Sequence, residues 1–431
     1  MNKFYGGAND HRQFIEEAGK LLKEDTDLVF VSLDISNFKY INDFYGTEAG
    51  DSVLIKLEDY YFKSFPKCLV VHCLGSDQYR GIYDITGYNR EQVVKDLQDA
   101  NIAFEQMLSE AYPMIYHHVY MGVCFREANS PIRDPRFYID GSHMAKKICK
   151  NKLNINVNVY DDKKAKVILE DNHMQNEFMR ACDDNRILLY LQPKVNVHTK
   201  EVVGAEALVR MKDSTGAIIP PGKFLPLLEK TGMVGKLDDL MIRKVFEYQR
   251  KRLDLGENCY PVSVNVSRIK FMDEGFYEYV ISLQEEFQIS SDLVAFEILE
   301  STFNNPLSEM TDTINMLRKA GFLVEVDDFG SGYSSLNQIA GLPADVIKMD
   351  RLFAISSLST KKGRKIVESV IQMLKKVDYS IIFEGIETEE QLQLVTEYGC
   401  EVIQGYIFSK PIAEEDFVRL YGKNRMIQKE A

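Results

Sequence analysis

The sequence predicts an α/β protein whose larger, C-terminal part is a modified (β/α)8 barrel with one antiparallel strand. Eight strand-like runs recur over about 260 residues, with helical segments between most of them. The first two of these runs are joined by only four residues. A third observation is an alternation of strand-like and helical patterns in the first 160 residues or so, which predicts a separate N-terminal α/β domain.

The strands of the C-terminal part are predicted from short apolar runs separated by helical segments. These runs are Ile187–Val197, Val202–Val209, Val262–Val266, Leu293–Leu299, Leu323–Asp327, Val346–Met349, Ile381–Phe383 and Val402–Ile407. The helical segments between them are Phe224–Arg252, Gly275–Phe287, Leu307–Ala320, Arg364–Val377 and Glu389–Tyr398. This order favours a (β/α)8 barrel, and an open doubly wound sheet is the competing architecture.

The connection between the first two strands, residues 198–201, departs from the regular barrel pattern. Parallel neighbours need a crossover of a dozen or more residues, whereas an antiparallel pair needs only a tight turn. We therefore expect the first two strands to be antiparallel, within a barrel whose other strands are parallel.

The N-terminal block combines strand-like and helical patterns in alternation. Its strand-like runs are Leu28–Leu33, Cys68–Cys73 and Tyr116–Phe125, and its helical patterns include His11–Lys23 and Ser52–Phe62. The charged stretch Asp161–Lys166 is the best candidate for a boundary. We expect an N-terminal domain at residues 1–163 and a barrel domain at residues 164–431.

Composition and charge exclude several classes of partner. The chain has 431 residues, a formal net charge of −13 and a pI of about 5.2, which disfavours binding to nucleic acid or to an acidic membrane surface. No apolar run approaches the roughly 18 residues of a membrane helix, and the N-terminus lacks the apolar core of a signal peptide. The seven scattered cysteines form no CxxC pair, so we expect reduced thiols and a cytoplasmic location.

Polar residues lie at or near the C-terminal ends of seven of the eight strands. They are Glu206, Asn265, Glu297 with Glu300, Asp327 with Asp328, Lys348 with Asp350, Glu384 with Glu387, and Gln404. In a barrel these residues would converge at one mouth. Successive side chains of a strand point to opposite faces, so Asp327 and Asp328 can share a site only if the strand ends there. Such a pair holds a metal, tunes a proton or caps the next turn.

Metal binding is the interpretation that the whole set favours. Five buried carboxylates at one mouth would be very costly without counter-charge, and Lys348 is the one fixed positive charge that the sequence places nearby. Oxygen ligands of this kind suit Mg²⁺ or Mn²⁺, and two ions that share one carboxylate suit phosphoester cleavage. Taken alone, Asn265 is more typical of a turn, Lys348 of a solvated surface, Arg210 of a salt bridge and Gln404 of a backbone hydrogen bond.

Residues 172–413 resemble the EAL-domain family of cyclic di-GMP phosphodiesterases. The matching segments are Glu206-Ala207-Leu208 with Arg210, Phe224–Gly232, Asp327–Leu336, Lys348-Met349-Asp350, Glu384–Glu387 and Gln404–Tyr406. The ordered set is specific, although no single motif is. The resemblance implies metal-dependent hydrolysis of cyclic di-GMP to linear pGpG, and a homodimer formed through this domain.

The resemblance also implies a role for each matching residue. One ion would be held by Glu206, Asn265, Glu297 and Asp327, and the second by Asp327, Asp328 and Glu384. Lys348 would position or polarise the attacking water and would act with Glu206, Asp327 and Glu384 in catalysis. Gln192, Arg210 and Gln404 would contact the substrate. Glu300 and Glu387 would steady the loop that follows Asp328.

Residues 8–160 resemble the GGDEF family of diguanylate cyclases, through the segment Leu33–Asp43 followed by Gly46 and Gly50-Asp51. The resemblance implies a metal-binding role for Asp34 and guanine contacts for Asn42 and Asp51. In the signature loop, Ser76 replaces a glycine and Gln78 replaces a carboxylate, and Asn151 stands where the family has a phosphate-binding arginine.

These replacements predict a degenerate cyclase domain without cyclase activity. Binding of GTP by this domain and a purely structural or dimerising role both stay open. For the barrel domain the leading hypothesis is the phosphodiesterase. The alternatives are a receptor that binds cyclic di-GMP without cleaving it and an interaction scaffold.

Overall fold

The computed structural model describes residues 8–64, 67–73, 78–128, 130–150, 155–304, 308–330 and 341–427. The chain divides into two compact units, Met1–Asp171 and Asn172–Ala431. The helix Asp162–Asp183 runs across the division. Within the described ranges, no helix combines the length and the apolar character needed to cross a membrane.

A five-stranded mixed sheet forms the centre of the N-terminal unit. Its strands are β1 (Leu28–Ile35), β2 (Cys68–Cys73), β3 (Tyr79–Asp84), β4 (Val119–Arg126) and β5 (Val157–Val159). They lie in the order β2-β3-β1-β4-β5, with β4 and β5 parallel and the other neighbours antiparallel. The three predicted strands are confirmed within a few residues. The sequence did not predict β3, which carries charged residues and a glycine, or the three-residue β5.

Helices cover both faces of this sheet. They are Ala8–Leu21, Phe38–Tyr45, Thr47–Ser64, Arg90–Ala111 and Pro135–Lys150. Because side chains alternate along β1, Val29 and Val31 enter one apolar core, and Leu28 and Phe30 enter another on the opposite face. The expected α/β domain is therefore a three-layer arrangement with a core on each side of the sheet.

A closed barrel of eight strands forms the centre of the C-terminal unit. The strands are β6 (Ile187–Asn196), β7 (Val202–Lys212), the accessory β8 (Ile218–Ile219), β9 (Val262–Asn265), β10 (Val294–Leu299), β11 (Leu323–Phe329), β12 (Val346–Met349), β13 (Ser380–Glu384), β14 (Val402–Gln404) and the accessory β15 (Ile412–Ala413). Strand β6 pairs with both β7 and β14, which closes the sheet.

The barrel strands have the directions that the short first connection predicts. Strand β6 is antiparallel to β7 and to β14, and the pairs from β7 through β9 to β14 are parallel. The modified barrel with one antiparallel strand is thus confirmed, and the open doubly wound sheet is wrong.

The outer layer of the barrel is helical. Its α-helices are Leu225–Thr231, Val234–Asp254, Arg268–Phe271, Phe276–Phe287, Ser308–Lys319, Lys361–Lys376, Glu389–Glu397 and Glu414–Tyr421. Shorter 3₁₀ turns lie at Pro221–Lys223, Ser291–Leu293 and Glu300–Asn304, and a π-helical turn lies at Phe353–Ser357. Four predicted helices are confirmed within a few residues. The single helix predicted over residues 224–252 is wrong, because Gly232 adopts a left-handed conformation with φ 72° and ends the first of two helices.

The pleat of the barrel strands separates the apolar core from a polar interior. On β11, Val324 and Val326 join the buried core between strands and helices. Glu325 and Asp327 alternate with them and therefore point to the opposite side of the strand, into the barrel. This alternation brings polar side chains to the barrel axis.

Strand β4 packs closely on the helix Pro135–Lys150 at Gly122. A Cβ at this position would lie 2.0 Å from the carbonyl oxygen of Ser142 and 2.1 Å from the amide nitrogen of Lys146. We expect Gly122→Ala to lower the free energy of unfolding of the N-terminal unit by about 1–3 kcal/mol, because backbone atoms must shift. Urea unfolding followed by circular dichroism measures this change.

Gly235→Ala is the matched control for Gly122→Ala. A Cβ at Gly235 meets no atom within 4 Å, and the residue lies in a helix. We expect this substitution to be neutral or stabilising by up to about 1 kcal/mol. Equal stability of the Gly122→Ala variant and the wild type would contradict the close packing.

Candidate metal centre at the barrel mouth

A buried lysine lies among the carboxylates at the C-terminal ends of the barrel strands. The Lys348 Nζ atom lies 2.7 Å from Glu297 Oε2, 2.7 Å from Glu384 Oε1, 3.0 Å from Asp327 Oδ1 and 3.5 Å from Glu206 Oε2. Its side chain is fully buried. The structure therefore brings together the four residues predicted to act in catalysis.

The carboxylates form two groups that share one member. Glu206, Glu297 and Asp327 each offer a ligand oxygen within 4.8 Å of the others, and so do Asp327, Asp328 and Glu384. Asp327 belongs to both groups, which is the arrangement expected of a carboxylate that bridges two cations.

A distortion of β11 brings the adjacent residues Asp327 and Asp328 to one site. The strand continues to Phe329, so the expectation that it ends at Asp327 is wrong. Instead, its register with β12 shifts between Val326 and Phe329, and Asp328 adopts a left-handed φ of 56°. A bulge of this kind redirects a side chain that a regular strand would point away.

Amide side chains extend from Glu206 towards β6. Asn265 Nδ2 donates a hydrogen bond of 2.9 Å to Glu206 Oε1. Gln404 Nε2 donates to Glu206 Oε2 and, at 3.1 Å, to Gln192 Oε1. Gln192 in turn donates to the carbonyl oxygen of Ser409 at 3.0 Å. Two of the three predicted substrate contacts thus lie in one hydrogen-bonded row beside the carboxylates.

An open cavity of about 180 Å³ lies above the carboxylates. It is lined by Gln192, Glu206, Leu208, Asp327, Arg351, Glu384, Gly385, Glu387, Gln404, Gly405 and Tyr406. The sequence prediction missed Arg351 and gave no role to Tyr406. Arg351 directly follows the recognised segment Lys348-Met349-Asp350, and Tyr406 ends the recognised segment Gln404–Tyr406, so position was the only signal for either residue.

Arg210, the third predicted substrate contact, lies farther along β7 than Glu206. It is absent from the described residues that line the cavity. Its guanidinium group lies 5.3 Å from the centre of the Tyr190 ring and donates to the carbonyl oxygen of Val209 at 2.8 Å. The structure therefore does not bring Arg210 together with the carboxylates.

The two residues predicted to steady the loop after Asp328 have different partners. Glu300 Oε2 accepts a hydrogen bond of 2.8 Å from the amide of Gly330, whereas Glu387 Oε1 accepts one of 2.7 Å from Arg351 at the cavity. The predicted motif continues to residue 336, and residues 331–336 lie outside the described residues. Glu300 thus contacts the start of the loop.

A second buried lysine, which the sequence analysis missed, lies below the carboxylates. The Lys194 Nζ atom lies 2.6 Å from Glu325 Oε2 and 3.2 Å from Glu297 Oε1. The expectation that Lys348 is the one nearby positive charge is therefore wrong. Lys194 follows Gln192-Pro193 in an apolar strand, and nothing local distinguishes it from a surface lysine.

Burial changes the acidity of these groups. Burial, reinforced by Glu297, raises the pKa of Glu206 to about 7. Burial also raises the pKa of Glu384 well above its usual value, and burial with the charge of Asp327 raises the pKa of Asp328 to about 6. Glu297 is the exception: against the effect of burial, Lys348 and Lys194 hold its pKa well below the usual range.

The charges at the mouth fit two divalent cations. Glu206, Glu297, Asp327, Asp328 and Glu384 carry five negative charges when ionised, and Lys348 carries one positive charge. Lys194 and Glu325 offset each other. These groups leave an excess of four negative charges, to which Asp350 beside Asp328 adds, and the donors are all oxygens, which hard divalent cations prefer.

The structure describes some of the residues of the predicted nucleotide site in the N-terminal unit. Asp34 lies at the end of β1, where its Oδ2 atom is 3.3 Å from Lys146 Nζ and 2.5 Å from Lys150 Nζ. Asn42 is half-buried in the helix Phe38–Tyr45, and Asp51 is exposed in the helix Thr47–Ser64. Ser76 and Asn151 lie outside the described residues, and Gln78 is exposed.

Comparison with known families matches both parts of the chain. Residues 175–411 match the EAL domain, and residues 9–129 match the diguanylate cyclase GGDEF domain.

Among curated proteins, the chain is 24% identical over 420 residues to the bifunctional diguanylate cyclase/cyclic di-GMP phosphodiesterase MucR of Pseudomonas aeruginosa, covering 94% of this chain and 58% of MucR. It is 31% identical over 258 residues to the cyclic di-GMP phosphodiesterase NbdA of the same organism, covering 58% of this chain and 32% of NbdA. The chain thus spans about three-fifths of MucR and a third of NbdA.

A solved structure also resembles this chain. The PaMucR phosphodiesterase in complex with c-di-GMP matches with a TM-score of 0.54 and 28% identity, over 57% of this chain and 99% of that one. The EAL match alone spans more than half of the residues, and the barrel with its polar mouth agrees with it. The chain belongs to the EAL-domain family and carries a GGDEF domain before its EAL domain.

Proposed function

We propose that the EAL domain of this chain is a phosphodiesterase that hydrolyses cyclic di-GMP to linear pGpG with two Mg²⁺ or Mn²⁺ ions. The observation that carries the proposal is the pair of carboxylate groups that share Asp327 around Lys348, at the floor of an open cavity. Relatives named as cyclic di-GMP phosphodiesterases, and a related phosphodiesterase solved with c-di-GMP, support the choice of substrate.

The proposed ligands are the predicted ones. One cation would be held by Glu206, Asn265, Glu297 and Asp327, and the other by Asp327, Asp328 and Glu384. Such cations, when bound, supply a lowered pKa for an attacking water and neutralise charge on the phosphoryl oxygens. The attacking water gives up one proton as its oxygen adds to phosphorus, the bond from phosphorus to the 3′ oxygen breaks, and that oxygen takes up one proton.

The side chains at the mouth bind and orient the reacting groups. Lys348 holds Glu297 and Glu384 at 2.7 Å each, which fixes the ligand oxygens and leaves a positive charge beside the reacting phosphate. Gln192 and Gln404 offer amide groups to the substrate at the edge of the cavity. Arg351 adds a cation to the same edge and would pair with a phosphate oxygen.

For the N-terminal domain we propose binding of GTP without cyclase activity. Two lysines already neutralise Asp34, so a cation at Asp34 would have to displace them. Gln78 replaces a carboxylate, Asn151 stands where the family has a phosphate-binding arginine, and Ser76 adds a side chain where a glycine lets the backbone approach phosphate. Asn42 and Asp51 remain as guanine contacts.

A cytoplasmic location and a homodimer formed through the EAL domain stay predictions.

Asp327→Asn tests the two-cation site. We expect cyclic di-GMP turnover to fall by about a thousandfold or more, because the shared carboxylate loses its charge. Release of pGpG, measured by chromatography with Mn²⁺ present, reports the change.

The matched control for Asp327→Asn is Glu401→Gln. This variant neutralises an exposed carboxylate that pairs only with Lys375 among the described residues, and it should turn over substrate at the wild-type rate. Full activity of Asp327→Asn would refute the two-cation assignment. If the wild-type protein binds cyclic di-GMP but releases no pGpG, the result would instead support the alternative function, a receptor that binds cyclic di-GMP without cleaving it.

The raised pKa values predict that cation binding depends on pH. Glu206, with a pKa of about 7 in the folded protein, keeps a proton between about pH 4.5 and 7 that the unfolded chain has released. Without cations, stability contributed by this group should therefore fall as pH rises through that range. Cations must displace the proton, so we expect Mn²⁺ affinity to fall about tenfold from pH 8 to pH 6.

Thermal unfolding with and without Mn²⁺ measures this pH dependence. The Mn²⁺-induced rise in Tm should be larger at pH 8 than at pH 6. In the Asp327→Asn variant most of the rise should be lost at both pH values. If Mn²⁺ raises the Tm of the wild type equally at both pH values, the result would contradict the expectation that a cation must displace a proton from Glu206.

The N-terminal proposal predicts no cyclase activity. Purified full-length protein given GTP and Mg²⁺ should form no cyclic di-GMP and no pGpG, while fluorescent GTP should bind. Asp51→Ala should weaken that binding, because it removes a guanine contact. Formation of cyclic di-GMP from GTP in the Asp327→Asn background, where the product would survive, would overturn the proposal.

A further inference from the structure

The interior of the barrel contains a buried lysine that the proposed mechanism does not use. The Lys194 side chain is 5% exposed, and its Nζ atom has three acceptors: Glu325 Oε2 at 2.6 Å, Ser263 Oγ at 2.7 Å and Glu297 Oε1 at 3.2 Å. An ammonium group has three protons, so this hydrogen bonding is complete.

These polar residues form a layer directly below the metal centre. Ser263, Glu325 and Lys194 each lie two residues along a strand from a site residue, namely Asn265, Asp327 and Gln192. Side chains two residues apart share a face, so the lower layer faces the barrel axis beneath the upper one. Glu297 is the residue that joins the two layers.

The two oxygens of Glu297 have different partners. Its Oε1 atom accepts hydrogen bonds from Lys194 and from Ser263 in the lower layer. Its Oε2 atom accepts a hydrogen bond of 2.7 Å from Lys348, which also contacts Asp327 and Glu206. One oxygen is therefore held from below, and the other is presented among the ligands.

We propose that Lys194, fixed by Glu325 and Ser263, is a positioning residue for the first cation: it holds Glu297 Oε1 so that Oε2 points at that cation. This inference rests on the proposed two-cation site. Lys194 and Glu325 add no net charge when both are ionised, and the effect that we propose on the cation runs through the position of Glu297. The competing interpretation is an ion pair that only fills the base of the barrel.

The double variant Lys194→Met/Glu325→Leu separates these interpretations. It removes both ionisable groups together, so neither partner is left as an unpaired buried charge. We expect calorimetric titration of the full chain with Mn²⁺ to show about tenfold or more weaker binding of the cation held by Glu297. The cation held by Asp328 and Glu384 should keep its affinity within about twofold.

A mutant cycle with Glu297→Gln identifies the affected cation. In the Glu297→Gln background, the double variant should weaken Mn²⁺ binding no further, because Lys194 would act through Glu297. Wild-type affinity for both cations in the double variant would overturn the inference. An equal loss with and without Glu297 would overturn it as well.

Arg252→Met/Glu257→Leu is the matched control. The buried Arg252 and the partly buried Glu257 form another ion pair, with 2.6 Å between Nη1 and Oε2 and exposed fractions of 4% and 14%. Its removal should leave Mn²⁺ binding unchanged. The same tenfold loss in this variant would assign the effect to general loosening and would overturn the inference.

Ser263→Ala gives a second test that changes no charge. It removes the hydroxyl that donates to Glu297 Oε1, and we expect about three- to tenfold weaker binding of the first cation. If the double variant fails to fold, unchanged binding in Ser263→Ala overturns the inference by itself. Wild-type protein that binds no Mn²⁺ would refute the proposed two-cation site and this inference with it.

Discussion

The arrangement at the barrel mouth depends on one buried ammonium group. Lys348 lies within 3.5 Å of four carboxylates that the barrel brings together from four strands. Without this charge or bound cations, carboxylates so close together could not remain ionised in the interior. The protein meets part of the cost with protons, as the raised pKa of Glu206 shows. The site is therefore already suited to exchanging protons for cations.

Backbone geometry places the ligands within reach of one another. The parallel strands place Glu297 in register with Asn265 on one side and with Glu325, two residues before Asp327, on the other. A regular strand would still separate Asp327 from Asp328, and the bulge with its left-handed Asp328 removes that separation. Glu300 binds the next turn through the amide of Gly330. This hydrogen bond holds the backbone just after Asp328. It therefore connects the start of the following loop to the ligands Asp327 and Asp328.

The two domains treat buried carboxylates differently. In the EAL domain, four carboxylates surround Lys348 and Asp328 lies beside them, so the group keeps an excess of negative charge, which suits cations. In the GGDEF domain, Asp34 alone has both Lys146 and Lys150 as partners. This contrast is the reason why we propose the two-cation site at the mouth of the EAL barrel and not at Asp34.

Local patterns were enough to predict the order of the barrel strands, the antiparallel first pair and the residues at the strand ends, because each depends on neighbours in sequence. The interior layer of Lys194, Ser263 and Glu325 could not be predicted in this way. The alternation Val324-Glu325-Val326 says that Glu325 faces away from its neighbours, but not whether that side is solvent or the barrel axis. Closure of the barrel decides this, because it turns a polar strand face into a buried interior. The same closure converts Lys348 from an ordinary strand lysine into the shared partner of four carboxylates.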